Sequence, residues 1–218
     1  MKHIPTGCDT LDNLLGGGFE TGSVTLLFGE GGAGKTNICL QAASNAAKKG
    51  LKTAYIDTEG LSPERIKQIF SSNDAESLLV FQAHNFEEQG DCIQKACKLS
   101  EISSKVGLIV VDSISIFYRF HSDDVSTRNM LTKQTETLLN IARRNDITVL
   151  LTSQVYTNVG SGSIEFLGGH ALQHNAKTII RLDKRGSGKR AAVIIKHRSL
   201  PEGRFASYRI VATGIESC

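Results

Sequence analysis

Tryptophan is absent from this 218-residue chain, and aromatic residues make up only 6% of it. A platform of stacked aromatic side chains, one common device for holding unpaired bases, therefore has little to be built from. Charge of one sign is also missing. Lys and Arg number 25 against 22 Asp and Glu, a formal net charge of +3. That balance permits nucleic acid as a partner without demanding it, so any phosphate recognition must come from local clusters. The five cysteines include no Cys-x-x-Cys pair and no metal-ligand spacing. Of Cys8, Cys39, Cys92, Cys97 and Cys218, the three in predicted helices, Cys39, Cys92 and Cys97, read as small buried apolar residues and Cys218 as a surface thiol. An odd count with no secretory leader points to a reducing cytosol. No apolar run approaches a membrane span, and residues 1–10 lack the apolar core of a signal peptide. A soluble, cytoplasmic protein is expected, with no membrane partner. No repeat, linker or low-complexity segment divides the chain, so residues 1–218 are expected to form a single α/β domain.

What is present is Gly29-Glu30-Gly31-Gly32-Ala33-Gly34-Lys35-Thr36. It fits G-x-x-x-x-G-K-[ST], the phosphate-binding P-loop, and its surroundings suit it. A short apolar run, residues 23–28, reads as a strand before it, and Thr36, Asn37 and the residues after them read as a helix. Glycines let backbone N–H groups turn around a polyphosphate at the helix N-terminus, where the partial charge is favourable. Lys35 is placed to reach the β- and γ-phosphates and the Thr36 hydroxyl to hold Mg²⁺. ATP and Mg²⁺ are the expected cofactors, and residues 29–37 the expected cradle.

The rest alternates strand and helix. Leu11, Leu14 and Leu15 share a helical face that the glycines at 16–18 terminate. Residues 52–57 predict a strand. Ser62-Pro63-Glu64 reads as N-cap, N1 proline and acidic first turn of a helix to Phe70. Strands are predicted at 78–81, 106–112 and 147–154, with helices from Asn85 to about 104 and from 125 to 145. Residues 155–170, rich in Gly and Ser, read as a mobile loop. Residues 178–182 and 191–195 flank Gly186-Ser187-Gly188 as a β-hairpin, and a last strand covers 205–211. The pattern predicts a mostly parallel, doubly wound sheet with antiparallel edge strands at the C-terminal end.

In such sheets ligands bind beyond the carboxyl ends of the strands. Asp112 ends the most apolar strand and is a candidate Mg²⁺ ligand through water, the alternative being a turn aspartate. Glu59 lies just past another strand end, where a carboxylate can orient a water attacking the γ-phosphate. Asp57, at the end of that strand, is the alternative base or its support. Gln154 ends a strand before the Gly/Ser loop and can read a γ-phosphate, or is a surface glutamine. Lys184, Arg185, Lys189 and Arg190 surround the hairpin tip. They suit a DNA backbone, or simply a solvated turn protecting an edge. Lys196 and Arg198 alternate and are read as sharing a face, as a finger toward a neighbouring subunit's nucleotide or as further backbone-binding charge.

Together these stretches resemble the RecA superfamily, in its archaeal and eukaryotic recombinase branch. The resemblance rests on Thr6-Gly7, Leu14-Leu15-Gly16-Gly17-Gly18, the P-loop and Tyr55-Ile56-Asp57-Thr58-Glu59-Gly60. It continues through Pro63-Glu64-Arg65, Thr152-Ser153-Gln154-Val155, Gly168-Gly169-His170 and Leu200-Pro201-Glu202-Gly203. It implies a RecA-like ATPase core, with Glu59 as water-activating carboxylate, Gln154 as γ-phosphate sensor and Arg65 packing on adenine. It also implies that Arg119 contacts single-stranded DNA and that Lys196 and Arg198 act as a finger in trans. The chain is similar to a short paralogue of the branch's RadA recombinase. The helix-hairpin-helix domain and the polymerisation motif have no counterpart here, and the two DNA-binding loops, at 116–125 and 156–169, look shortened. The resemblance implies a weak Mg-dependent ATPase that binds single- and double-stranded DNA and assists recombination and repair. A RadA-type recombinase is the expected protein partner, with a homodimer possible and no stable filament or strand exchange. The alternatives are a non-catalytic ATP-switched mediator and a RecA-like protein kinase.

Overall fold

The computed structural model describes residues 3–120, 124–157 and 164–218. Short apolar runs alternate with amphipathic helices, and that alternation builds a nine-stranded mixed sheet. β1 (His3–Ile4) and β2 (Phe19–Glu20) pair with each other and enclose helix α1 (Asp9–Leu15) in sequence. Then follow β3 (Ser23–Gly29), α2 (Lys35–Ala47), β4 (Lys52–Asp57), α3 (Pro63–Ile69) and β5 (Leu78–Gln82). The alternation continues through α4 (Phe86–Ile102), β6 (Val106–Asp112), α5 (Val125–Asn145) and β7 (Thr148–Ser153). Beyond them come β8 (Val155–Thr157), β9 (Ile164–Phe166), α6 (Gly169–Asn175), β10 (Thr178–Lys184), β11 (Lys189–Lys196), β12 (Phe205–Val211) and β13 (Gly214–Ser217).

Across the sheet the order is β13-β12-β11-β10-β3-β7-β6-β4-β5. From β10 to β5 all pairings are parallel, whereas β11, β12 and β13 add on as antiparallel strands. The central strands are apolar on both faces because helices cover both. Leu27, Leu108 and Tyr55 face α1 and α2 with Ile38 and Leu40, while Leu26, Ile109 and Val149 face α4 and α5 with Ile93 and Leu138. Side-chain caps set several helix starts. Ser62 Oγ accepts the Arg65 N–H at 3.3 Å, Asn85 Oδ1 accepts the Glu88 N–H at 2.9 Å, and the Asp124 carboxylate accepts the Ser126 and Thr127 N–H groups.

Three expectations are corrected or extended. Residues 155–170 are not simply a loop: β8 and β9 pair antiparallel, and α6 begins at Gly169. The alternation Val-Tyr-Thr and Ile-Glu-Phe was overshadowed by the glycines and serines between them. Phe166 packs its ring on Phe28, centroids 5.1 Å apart, and the Tyr156 hydroxyl donates to Glu165 at 2.9 Å. Residues 158–163 of that stretch lie outside the described residues. The hairpin of β10 and β11 forms as expected, but the expectation did not reach the other side of β10. That strand also forms a parallel ladder with β3, with Leu182 opposite Gly29. Its β-branched and leucine side chains suit an edge or an inner position, and only the tertiary pairing decides. Finally, β13 extends the sheet past the last predicted strand.

The fold buries Cys8, Cys39, Cys92 and Cys97 and exposes Cys218. Burial also raises the thiol pKa of Cys39, Cys92 and Cys97, that of Cys97 to about 11. A disulfide-exchange reagent at neutral pH is therefore expected to titrate one thiol quickly in the native protein and the other four only after denaturant is added. Rapid reaction of a second native thiol would contradict this burial.

Candidate nucleotide-binding site

Parallel register brings the strand ends into one row. Phe28 lies opposite Ser153, and Asp57 opposite Asp112. At one end of this row β3 runs into the P-loop. A Cβ at Gly29 would come within 2.3 Å of the Leu182 carbonyl oxygen, so only glycine fits. Gly34 precedes α2 with φ of 104°, a left-handed conformation. No side chain caps α2, so its first N–H groups are not taken up by a capping side chain. A Cβ at Gly31 or Gly32 would meet nothing within 4 Å, so the loop surrounds open space. Lys35 is buried, and its Nζ donates to the carbonyls of Gly29 at 2.7 Å and Glu30 at 3.1 Å. Desolvation lowers its pKa, an effect opposed by the carboxylates of Glu59 and Asp112.

The carboxylates have distinct tasks. Asp112 is 4% exposed; its Oδ2 accepts the Tyr55 hydroxyl at 2.7 Å and its Oδ1 the Thr152 hydroxyl at 2.5 Å. Burial, then Asp112, push the Tyr55 phenol well above its ordinary pKa, so it remains a donor. Asp57 is just as buried, and its oxygens accept the backbone N–H groups of Glu59, Gly60 and Leu61 at 3.2, 2.8 and 2.8 Å. It shapes the turn that presents Glu59. Glu59 itself is exposed, and its Oε1 accepts the Gln154 side-chain amide at 3.2 Å. Partial burial, then Asp112, raise its pKa, while Gln154 and Lys35 hold it down. Glu59 and Gln154, from the ends of two different strands, are thus one unit.

Sequence reasoning missed the supporting hydroxyls. Thr58 exchanges two hydrogen bonds with the backbone of Ser113, and Ser115 Oγ lies 2.9 Å from Ser153 Oγ. Ser153 Oγ in turn lies within bonding distance of the carbonyls of Gln154 and Leu167, 2.9 and 3.1 Å away. The only signal in the sequence was that each hydroxyl sits at or just beyond a strand's carboxyl end.

Other candidates fall elsewhere. Arg65 donates to Asn37, Gln68 and the carbonyls of Val211, Ala212 and Gly214, tying α3 to α2 and to the β12–β13 turn. Arg119 is exposed in a helical turn after β6. The hairpin cations are not a uniform free patch: Lys184 lies 3.3 Å from the Glu30 carboxylate, Arg185 pairs with Asp183, and Arg190 donates to the Gly32 carbonyl at 3.1 Å. The tip stands beside the P-loop because β10 pairs with β3. Lys189 is exposed at the same tip. Lys196 and Arg198 do not share a strand face, because β11 ends at Lys196. Lys196 Nζ donates to the carbonyls of Gln173 and Ala176 at the end of α6, and Arg198 lies 2.6 Å from Glu20.

Among the described residues no cluster of His, Cys, Asp and Glu forms a protein-only metal cage, and no helix is long and apolar enough to cross a membrane. The Thr36 hydroxyl at the start of α2 and the buried Asp112 carboxylate at the end of β6 are instead the sparse oxygen donors that suit Mg²⁺ shared with phosphates. A P-loop after the first core strand, with its partner carboxylates on neighbouring strand ends, defines a RecA-like P-loop domain. The chain belongs to the Rad51 family, whose model, described as Rad51, matches residues 1–218. Similar relatives bear the name RadB. The "DNA repair and recombination protein RadB" of Methanococcoides burtonii is 48% identical, with 98% of this chain and 97% of the relative covered. That of Archaeoglobus fulgidus is 46% identical over the same shares. A solved structure, "Crystal structure of the RadB recombinase", superposes with a TM-score of 0.87 at 35% identity, covering 99% of both chains.

Thr152→Val replaces the hydroxyl on Asp112 by a methyl of similar size and leaves a buried carboxylate oxygen short of a donor. Urea denaturation is expected to show a loss of about 1.5–3 kcal/mol, the usual worth of a hydrogen bond to a charged group. No loss would mean that Asp112 does not depend on Thr152.

Proposed function

We propose that this chain is an ATP-switched accessory protein of recombinational DNA repair, with weak ATPase activity and no strand exchange of its own. Its ligands are Mg-ATP, single- and double-stranded DNA and a RadA-type recombinase. The observation that carries this reading is the 3.2 Å bond between Glu59 and Gln154 beside the P-loop. It couples the group suited to activating water to an amide at the root of β8.

Lys35, the first residue of α2, would bind the β- and γ-phosphates, exchanging its bonds to the Gly29 and Glu30 carbonyls for phosphate oxygens. Mg²⁺ held by Thr36 and, through water, by Asp112 would neutralise charge on the same phosphates. Glu59 takes the proton of the attacking water, and Asp57 keeps it in place through the turn at 59–61. Gln154 senses the γ-phosphate and passes its presence to the β8–β9 stem through Ser153 and Leu167. The internal engagement of Lys196 and Arg198 supports slow turnover. A finger in trans contributes about 10³–10⁵ in rate where it operates, and both candidate fingers are occupied within their own chain. The face-exposed Arg119 and the hairpin-tip residues Arg185 and Lys189 are the candidate DNA contacts. The Gln154 amide on Glu59, at the root of β8, and the names of the relatives support a switch in repair more than a protein kinase.

ATP turnover is expected to be slow and insensitive to protein concentration and to single-stranded DNA. Strong stimulation by DNA that rises with concentration would instead indicate a neighbour completing the site. Glu59→Gln is expected to keep ATP binding and lower turnover by about 10²-fold or more, the range of general-base contributions; unchanged turnover would move that role to another group.

The pH profile carries a further test. Glu59 must be deprotonated to act, and its pKa is raised, so turnover is expected to rise with pH through a midpoint above the ordinary glutamate range. The Gln154 amide stabilises the charged form. Gln154→Leu is therefore expected to move the acid limb to higher pH, apart from any loss in rate, and an unmoved limb would disconnect the two residues.

A further inference from the structure

The C-terminal strands end on the P-loop from outside it. Arg190, at the start of β11, donates from Nε to the Gly32 carbonyl at 3.1 Å. Tyr208 of β12, fully buried, donates its hydroxyl to the Ala33 carbonyl at 2.7 Å. The next loop residue, Gly34, packs on the same strand, and a Cβ there would meet Ile210 at 3.2 Å and Tyr208 at 3.5 Å. Lys184, from the end of β10, lies 3.3 Å from Glu30, and a cavity of about 580 Å³ is lined by Gly29 and Glu30 together with Arg181, Asp183 and Lys184.

Peptide planarity gives these bonds a consequence. In a trans peptide the C=O and the following N–H point opposite ways. Holding the Ala33 carbonyl on Tyr208 therefore aims the Gly34 N–H away from β12. Holding the Gly32 carbonyl on Arg190 likewise sets the Ala33 N–H, which closes the loop on the Glu30 carbonyl at 3.1 Å. The P-loop glycines are permissive on their own. The restraint comes from residues far along the chain.

We propose that Arg190 and Tyr208 are positioning residues of the nucleotide site, acting in cis by fixing P-loop carbonyls: Tyr208 aims the Gly34 N–H for a polyphosphate, and Arg190 keeps the Ala33 N–H closed on Glu30, so that the loop holds the curvature in which its remaining N–H groups are preset. This rests on the Mg-ATP reading above and deepens it. The β10–β11 hairpin is then the outer wall of the nucleotide site, and Arg190 serves phosphate recognition within its own chain before any DNA backbone. Presetting the loop lowers the ordering cost of binding, so its loss appears as weaker affinity.

The test is a titration of the protein with a fluorescent ATP analogue in the presence of Mg²⁺. Arg190→Met and Tyr208→Phe are each expected to weaken binding by about threefold to tenfold, the worth of one hydrogen bond. Arg190→Gln, whose amide nitrogen occupies the place of the arginine Nε and keeps a donor for the Gly32 carbonyl, is expected to recover most of the affinity, a rescue that loss of bulk packing would not show. Arg209→Gln removes another β12 side chain, one paired with Glu216 and not with the P-loop, and is expected to bind as the parent does. Parent-like affinity in both Arg190→Met and Tyr208→Phe would overturn the inference, as would an equal loss in Arg209→Gln. Lys35→Ala keeps the two questions apart. If it abolishes binding while Arg190→Met and Tyr208→Phe do not weaken it, only this inference falls. If Lys35→Ala itself binds as before, the ATP site is elsewhere.

Discussion

The parallel pairing of β3, β7, β6 and β4 is the constraint on which the site depends. Parallel strands need crossovers, and the crossovers place helices on both faces, so the side chains within these strands are mostly buried and apolar. Polar chemistry is therefore confined to where the strands stop. Because the register is shared, they stop together, and Gly29, Ser153, Asp112 and Asp57 form one rim. A shift of one strand by a single residue would turn Asp112 into the core and a valine out of it, which the apolar clusters on both faces oppose.

Within that rim the charges are sorted by burial. Asp112 and Asp57 are nearly inaccessible, and every carboxylate oxygen of each has a donor, hydroxyls for the first and backbone N–H groups for the second. A buried carboxylate so satisfied is a fixed reference point. Glu59 has one side-chain donor and stands at the surface, free to exchange partners. The same contrast separates the cations. Lys35 sits buried between P-loop carbonyls, while Lys196 and Arg198 are spent on a helix end and on Glu20. Local geometry thus divides residues of one chemical type into scaffold and working groups.

The sequence carried the parallel core almost to the residue. The strand at 52–57, the apolar run at 106–112 and the helix at 125–145 have the predicted bounds, because periodicity and terminal residues agree there. The P-loop was equally legible, since its glycines and Lys35 have no other common use in that order. Spacing left the choice between Asp57 and Glu59 open. What spacing does not show is that Asp57, not Glu59, accepts the backbone N–H groups of the turn, because that depends on how the chain folds back after β4. Tyr55 and Thr152 appeared only inside the stretches that carried the resemblance, because their bonds to Asp112 depend on strands 57 and 40 positions apart coming into register. The β8–β9 pair was hidden by its small residues, and the place of β10 beside β3 by the fact that a hairpin's pattern says nothing of its other neighbour. That one pairing also changed the surroundings of Lys184 and Arg190.

The tie between Tyr208 and Ala33 joins the first core loop to the next-to-last strand, 175 positions later in the chain. During synthesis the P-loop leaves the ribosome long before β12 exists, so the loop spends most of translation without this restraint. A nascent chain can assemble β3 to β7 in order, yet β10 must still insert beside β3 and carry β11 and β12 with it. Long-range closures of this kind come late in folding. The fold thereby defers a finished nucleotide site until nearly all of the polypeptide is available, and a prematurely terminated product that lacks β12 is missing the strand that holds the loop in shape.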